Sequence, residues 1–205
     1  MTTPSSMTLV AFGVGLLAAA GIVLILAVTL TTSRQWWPPG DKTWAYYLHW
    51  SLVGAFNVSI VVTAVFDWNQ WVLVRPASLV AGGVLSAVGA AVFVRSADVM
   101  QSDEVRGVTG DLYTGGPYAY SRNPQYVGMI VGIVGFALLT NSRFVAVLAA
   151  AHVGWVLLLP LAEEPHLRAE YGAEYEAYAS TVPRFVGRQT IRELTNRLDG
   201  HELTS

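Results

Sequence analysis

Two short stretches of this chain concentrate the residue types that do chemistry. The first is Gly115-Gly116-Pro117-Tyr118-Ala119-Tyr120-Ser121-Arg122-Asn123-Pro124-Gln125-Tyr126-Val127-Gly128, and the second is Ala162-Glu163-Glu164-Pro165-His166-Leu167. In the first, Gly-Gly-Pro reads as a turn and Asn-Pro as the opening of a helix, with Pro124 at its first position and Asn123 as cap. A helix start directs free N–H groups at whatever lies before it, and Arg122 adds a fixed cation there. In the second, two adjacent carboxylates directly follow an apolar run. Like charges at the edge of a low-dielectric region are costly unless a cation or donors receive them. Arg122 is one available partner and a cationic ligand is another. A guanidinium, a helix start, paired carboxylates and several tyrosines on one face together fit a pocket. Pro165 predicts the first turn of a new helix capped by Glu164. On it Leu167, Tyr171, Tyr175 and Tyr178 share one face, and Glu164 and Arg168 pair one turn apart. Pro183-Arg184-Phe185 then closes the region.

These stretches sit in an otherwise apolar chain. Of its 205 residues 53% are apolar and 13% charged, where a soluble domain carries about a quarter charged. Five apolar segments are predicted to be helices: Thr8 to Leu30, Trp44 to Phe66, Ala77 to Val94, Tyr126 to Thr140 and Phe144 to Leu161. Hydrocarbon forces the helical form, because every backbone N–H and C=O must find an internal partner. The first run, at ~1.5 Å per residue, reaches roughly 35 Å, enough to cross a bilayer and too long for a secretory signal core. The fourth is short and is expected to form a tight hairpin with the fifth through Asn141-Ser142-Arg143. The expected class is therefore an all-α integral membrane protein of about five transmembrane helices, with a cytoplasmic C-terminal helix lying over a pocket.

Positive charge sets the expected orientation. Five spans place only Arg75 and Arg143 on the side of the N-terminus and the other 10 of the 12 basic residues on the opposite side. The N-terminus is thus expected outside, and the loop before the fourth helix and the C-terminal tail in the cytoplasm. Trp36, Trp37, Trp44, Trp68 and Trp71 read as interfacial anchors. Gly82, Ser86 and Ala90, and Gly128 with Gly132 and Gly135, read as close helix contacts. In the tail, Ile191, Leu194 and Leu198 share a face of a surface helix that gives way to disorder near Gly200. The excess of Arg over Lys fits a GC-rich bacterial genome and thus a bacterial inner membrane.

Several functions are disfavoured. The absence of cysteine removes disulfides, thiolate nucleophiles and Cys-based metal sites. A net charge of −2 gives no field for nucleic acid. Four scattered histidines form no metal cluster, no P-loop is present, and Gly13-Val14-Gly15 lies inside a membrane helix. The first three spans carry no charged side chain, with His49 and Asn57 their notable polar residues, which argues against ion transport.

The combination of motifs resembles the isoprenylcysteine carboxyl methyltransferase and phospholipid methyltransferase superfamily of membrane enzymes. That resemblance rests on Gly116-Pro117-Tyr118, Arg122-Asn123-Pro124-Gln125-Tyr126, the hairpin Val127 to Leu161, Glu163-Glu164, Leu167, Tyr171-Gly172, Glu174-Tyr175, Tyr178 and Val182-Pro183-Arg184-Phe185. It covers about residues 110 to 187. It implies a scaffold over 1–97, a catalytic core over 98–187 and a tail over 188–205. It further implies S-adenosylmethionine as methyl donor, bound by Gly116, Pro117, Tyr118, Arg122, Asn123, Pro124, Tyr126, Gly128, Glu163 and Glu164, with Arg122 and Arg184 as catalytic residues. A lipophilic methyl acceptor, an acid, amine or thiol, would enter sideways from the bilayer, and neither metal nor nucleic acid would take part; oligomeric state is left open. One departure is chemical. The family's histidine is Asn123 here, so any proton-moving role there would fall to another base, with His166 and His152 as substitutes. A sterol-reductase-like enzyme using NADPH, and a non-enzymatic membrane scaffold or transporter subunit, are the alternatives.

Overall fold

A computed structural model describes residues 3–100, 106, 108, 110–187, 190 and 191. Five α-helices account for most of it: α1 Ser6–Thr31, α2 Trp44–Phe66, α3 Ala77–Ala97, α4 Pro124–Thr140 and α5 Arg143–Thr181, with a short 3-10 turn at Gly116–Ala119 before α4. Four of these, α1, α2, α3 and α5, are long and apolar enough to cross a membrane, and α4 is a shorter apolar helix of 17 residues. The architecture is all-α and integral to the membrane. Large aliphatic side chains such as Leu17, Val65 and Val80 are more than half exposed on its outside, as hydrocarbon permits and water would not.

The helices start where the sequence supplies a cap. The Ser5 hydroxyl accepts from Thr8 N at 3.0 Å at the head of α1, and Ser142 does the same for Val145 N at 3.1 Å at the head of α5. A core of Ile22, Leu26, Phe56, Leu148 and Val156 joins α1, α2 and α5. The α3–α4 pair is built differently. A Cβ at Gly89 would run into the Gly132 backbone, and one at Gly135 into Ser86. Backbones this close replace side-chain interdigitation by direct contact, the form helix association takes where no hydrophobic effect operates.

The α4–α5 hairpin turns at Asn141, which takes a left-handed backbone (φ 49°), and Ser142, as expected from sequence. The loop after α2 is tied to this turn. Asn69 N donates to Thr140 O at 2.8 Å, Leu73 N to Asn141 Oδ1 at 3.1 Å, and the Ser142 hydroxyl to Asp67 at 2.5 Å. This end of the bundle therefore gathers the start of α1, the α2–α3 loop and the α4–α5 turn. The other end gathers the α1–α2 loop, the segment before α4 and the C-terminal region.

Three expectations are corrected. Pro165 opens no new helix and Glu164 caps none, because α5 runs on through Pro160 and Pro165. Each proline removes a single i to i−4 bond, which a helix held by neighbouring contacts survives. The bend falls instead at Gly172, whose φ of 53° and ψ of −124° suit only glycine. Trp37 is no interfacial anchor: it is 3% exposed and sits within the bundle end. Asn123 holds the N-cap position of α4, yet its side chain makes no capping bond there. The tail helix expected through Leu194 and Leu198 lies outside the described residues.

Candidate functional site

The spanning part of α5 ends near Leu161, and the helix then carries Glu163 and Glu164 out of the hydrocarbon side by side. Adjacent helix positions point about 100° apart, so the two carboxylates meet different surroundings. Glu164 is buried and is the centre of a cluster of arginines. Arg184 grips it with two hydrogen bonds of 2.7 and 2.9 Å, Arg122 lies 3.2 Å away, and Arg168 reaches it from the next turn at 3.5 Å. Burial pushes its carboxyl up, but the hydrogen bonds from Arg184 and the charges of Arg122, Arg184 and Arg168 outweigh this and hold it below the usual carboxylate range. The same bond raises the Arg184 guanidinium.

Glu163 faces the other way, toward the helices. Its Oε1 accepts from the Tyr126 hydroxyl in a short hydrogen bond and from Trp37 Nε1 at 2.8 Å. Burial raises its carboxyl above the usual range, the two donors oppose that, and the charge of Glu164 adds to it. Thr29 holds Trp37 in place, since its hydroxyl accepts from Trp36 N at 3.1 Å and Trp37 N at 3.0 Å. Trp37 thus belongs to the site although sequence reasoning assigned it to the interface. Its signal was the Trp-Trp-Pro-Pro run, which fixes a tight path after α1, but only folding brings that loop to α5.

Between these groups is a cavity of about 160 Å³. Its walls include Arg122, Asn123, Tyr126, Glu163 and Glu164, together with Tyr113, Tyr118, Tyr171, Tyr175 and Tyr178. The face expected along the helix after Glu164 is realised here, since Leu167, Tyr171, Tyr175 and Tyr178 all line the cavity despite the bend at Gly172. Tyr178 donates to Tyr118 O at 2.7 Å, and Arg122 Nη1 donates to the Tyr175 hydroxyl at 3.1 Å. Burial raises the phenols of Tyr118 and Tyr178, so both stay neutral hydrogen-bond donors. Arg122 Nε is buried with no partner.

The C-terminal segment is strapped over this end by its backbone. Arg122 N donates to Pro183 O at 2.9 Å, and Asn123 Nδ2 donates to Arg184 O at 2.8 Å. Asn123 therefore works as a tether, a role its amide fills without moving a proton. Of the residues expected to bind the donor, Tyr118, Arg122, Asn123, Tyr126, Glu163 and Glu164 share the cavity wall. The others are not among its lining residues. Gly116 and Pro117 form the 3-10 turn that leads into Tyr118, Pro124 starts α4, and Gly128 packs on the Phe93 backbone of α3. Arg184 stands outside the wall and acts on it through Glu164. Of the substitute bases, His166 lines the cavity and its Nδ1 is 3.0 Å from Gln35 Nε2, whereas His152 lies deeper in the bundle.

Comparison with known proteins bears on this end of the molecule. Residues 77–174 match the phospholipid methyltransferase family. Over 74 residues, 35% of this chain and 31% of the relative, the sequence is 36% identical to the protein-S-isoprenylcysteine O-methyltransferase of Schizosaccharomyces pombe. It is 35% identical to the nickel-cobalt-cadmium resistance protein NccN of Alcaligenes xylosoxydans xylosoxydans over 40% of this chain and 38% of that one. It is 33% identical to the cobalt-zinc-cadmium resistance protein CzcN of Cupriavidus metallidurans over 39% and 37%. These matches span about a third of the length of each relative. Among the described residues, no group of three or more His, Cys, Asp or Glu gathers to hold a metal ion. No solved structure matches the chain.

Proposed function

We propose, from the match of residues 77–174 to the phospholipid methyltransferase family and the likeness to an isoprenylcysteine O-methyltransferase, that this protein transfers the methyl group of S-adenosylmethionine to a lipophilic acceptor. The observation that carries this is the single cavity in which Arg122, Glu163, Glu164 and a ring of tyrosines converge. The donor offers a sulfonium, an ammonium and a carboxylate, and the wall answers each in kind. Aromatic faces and carboxylates attract the cations. The unpartnered Arg122 Nε, beside the head of α4, suits the anion. Bound there, the donor supplies an electrophilic methyl carbon. The protein's part is to orient it, exclude water and line up the nucleophile. Arg184 and Asn123 hold the strap that keeps this end closed. The excess of positive charge at the same end argues that it faces the cytoplasm, where such a donor is made, of a bacterial plasma membrane.

Titration of detergent-purified protein with S-adenosylmethionine and, separately, with NADPH tests the proposal. Saturable donor binding that is lost in a Glu163→Ala/Glu164→Ala variant is the expected result. Binding of NADPH alone, or of neither, would overturn it.

A further inference from the structure

A second cavity, of about 400 Å³, lies within the helices and adjoins the first at Trp37, Gln125 and Tyr126, which line both. None of its lining residues is Asp, Glu, Lys or Arg. Its wall nevertheless carries polar atoms that the fold leaves unsatisfied. His49 Nδ1, both ring nitrogens of His152 and the Ser86 hydroxyl are buried without a hydrogen-bond partner. His49 and His152 are only 4% and 7% exposed. Unpaired polar atoms in hydrocarbon are expensive, so they mark where a ligand completes the bonding.

We infer, building on the methyl-transfer reading, that this cavity holds the methyl acceptor. The acceptor is a lipophile whose reacting end is an uncharged X–H group, a thiol, phenol or neutral amine, donating its hydrogen bond to His49 Nδ1. The position follows from one chain of contacts. The His49 ring stacks on Trp37 with centroids 4.0 Å apart, and Trp37 in turn donates to Glu163 in the donor cavity at 2.8 Å. A head group at His49 therefore lies at the junction of the two cavities, with its apolar tail among Val53, Met129, Ile133 and Leu159. His152, about 16 Å of helix rise deeper than Glu163, faces any further polar atom along that tail. The charge class follows from the wall. A carboxylate or a phospholipid head would enter with no cation to receive it, whereas a neutral head loses only hydrogen bonds that His49 returns. The step also balances. The heteroatom's lone pair forms the bond to the methyl carbon, and the carbon–sulfur pair stays on the donor sulfur. The acceptor's proton passes to His49, so one positive charge leaves as sulfonium and reappears as imidazolium at the junction, where Glu163 on the far side of Trp37 is placed to offset it.

Trp37, Trp50 and Trp155 line this cavity, so their emission reports its occupancy without any turnover. Protein in nanodiscs would be titrated with ω-bromodecanethiol, with ω-bromoundecanoate and with a phosphatidylethanolamine carrying brominated chains. The expected result is saturable quenching by the thiol, at least about tenfold tighter than by either charged probe. Filling the cavity by Val53→Phe should weaken the thiol, and so should His49→Leu, each by about tenfold, in protein whose helix content and gel-filtration profile match the wild type. Equal or tighter binding of the carboxylate or the phospholipid overturns the inference, as does quenching by no probe. Thiol preference without S-adenosylmethionine binding would sink methyl transfer itself. Donor binding without thiol preference would sink only the acceptor class.

Discussion

The α4–α5 hairpin is closed at both ends by buried polar residues, and the two closures could hardly differ more. At the turn, Asn141 and Ser142 are almost fully buried and bonded. Asn141 Nδ2 donates to Asn69 Oδ1 at 2.7 Å, its Oδ1 receives Leu73 N, and Ser142 reaches Asp67. Every contact there is local to the turn and the α2–α3 loop, and no cavity opens on it among the described pockets. At the opposite end, one carboxylate is held by three arginines, its neighbour by a tyrosine and a tryptophan, and a buried guanidinium nitrogen goes unpaired beside a cavity. A knot of polar groups that answer one another's hydrogen bonds and leave no open space maximises stability. A charged cluster with an unanswered donor and open space gives up stability and gains a place for a ligand. The contrast separates residues that close the fold from residues left with open space and an unanswered donor beside them.

The comparison can be broken most forcefully at Glu164. Replacing it by Ala leaves Arg122 buried and uncompensated and frees the Arg184 strap. Donor affinity should fall by about 3 to 5 kcal/mol, roughly two orders of magnitude or more, in a calorimetric titration. Arg122→Lys keeps the charge but cannot offer both the Nη1 that meets Glu164 and Tyr175 and the unpaired Nε that is left for the donor. Affinity for S-adenosylmethionine should drop by about 1.5 to 3 kcal/mol with little change in melting temperature. Asn141→Ala is the reverse experiment. It strands Leu73 N and Asn69 and strains a left-handed backbone, costing about 1 to 3 kcal/mol of stability by thermal melt, while donor affinity of the folded protein stays within about twofold. Should Asn141→Ala weaken the donor as much as Arg122→Lys, the division between the two ends would be wrong.

The smallest effect concerns pH. Because Glu164 is held below its ordinary range, its ion pairs are complete above that range and are lost only as pH falls through the lowered value. Followed as Kd against pH, donor binding should show one limb above the usual carboxylate range, where the raised Glu163 carboxyl takes up its proton, and a second below that range, where Glu164 does. The Glu164→Ala protein should lack the second limb.

Much of this was legible in the chain. The spans, the hairpin turn at Asn141-Ser142 and the lining face through Leu167, Tyr171, Tyr175 and Tyr178 follow from apolar run length, turn chemistry and helical spacing. The pairing of Arg122 with the double Glu follows from the cost of leaving like charges alone at a membrane edge. Three features were not legible, for identifiable reasons. Pro165 was expected to start a helix because proline breaks helices on average, whereas α5 carries two of them and bends at Gly172. Trp37 resembled any interfacial tryptophan because its partner Glu163 is 126 residues away. Asn123 looked like a cap because its local signal is that of a cap, yet its amide is claimed by Arg184 O from the C-terminal strap.

The chain by itself determined that five helices form and that charge collects at one end of them, because hydrocarbon imposes helix on any apolar run and expels unpaired charge from it. Only the tertiary structure decided which carboxylate is locked among arginines and which faces the bundle. Neighbours in sequence diverge by about 100° around a helix, and the groups each one meets arrive from segments that sequence distance does not connect.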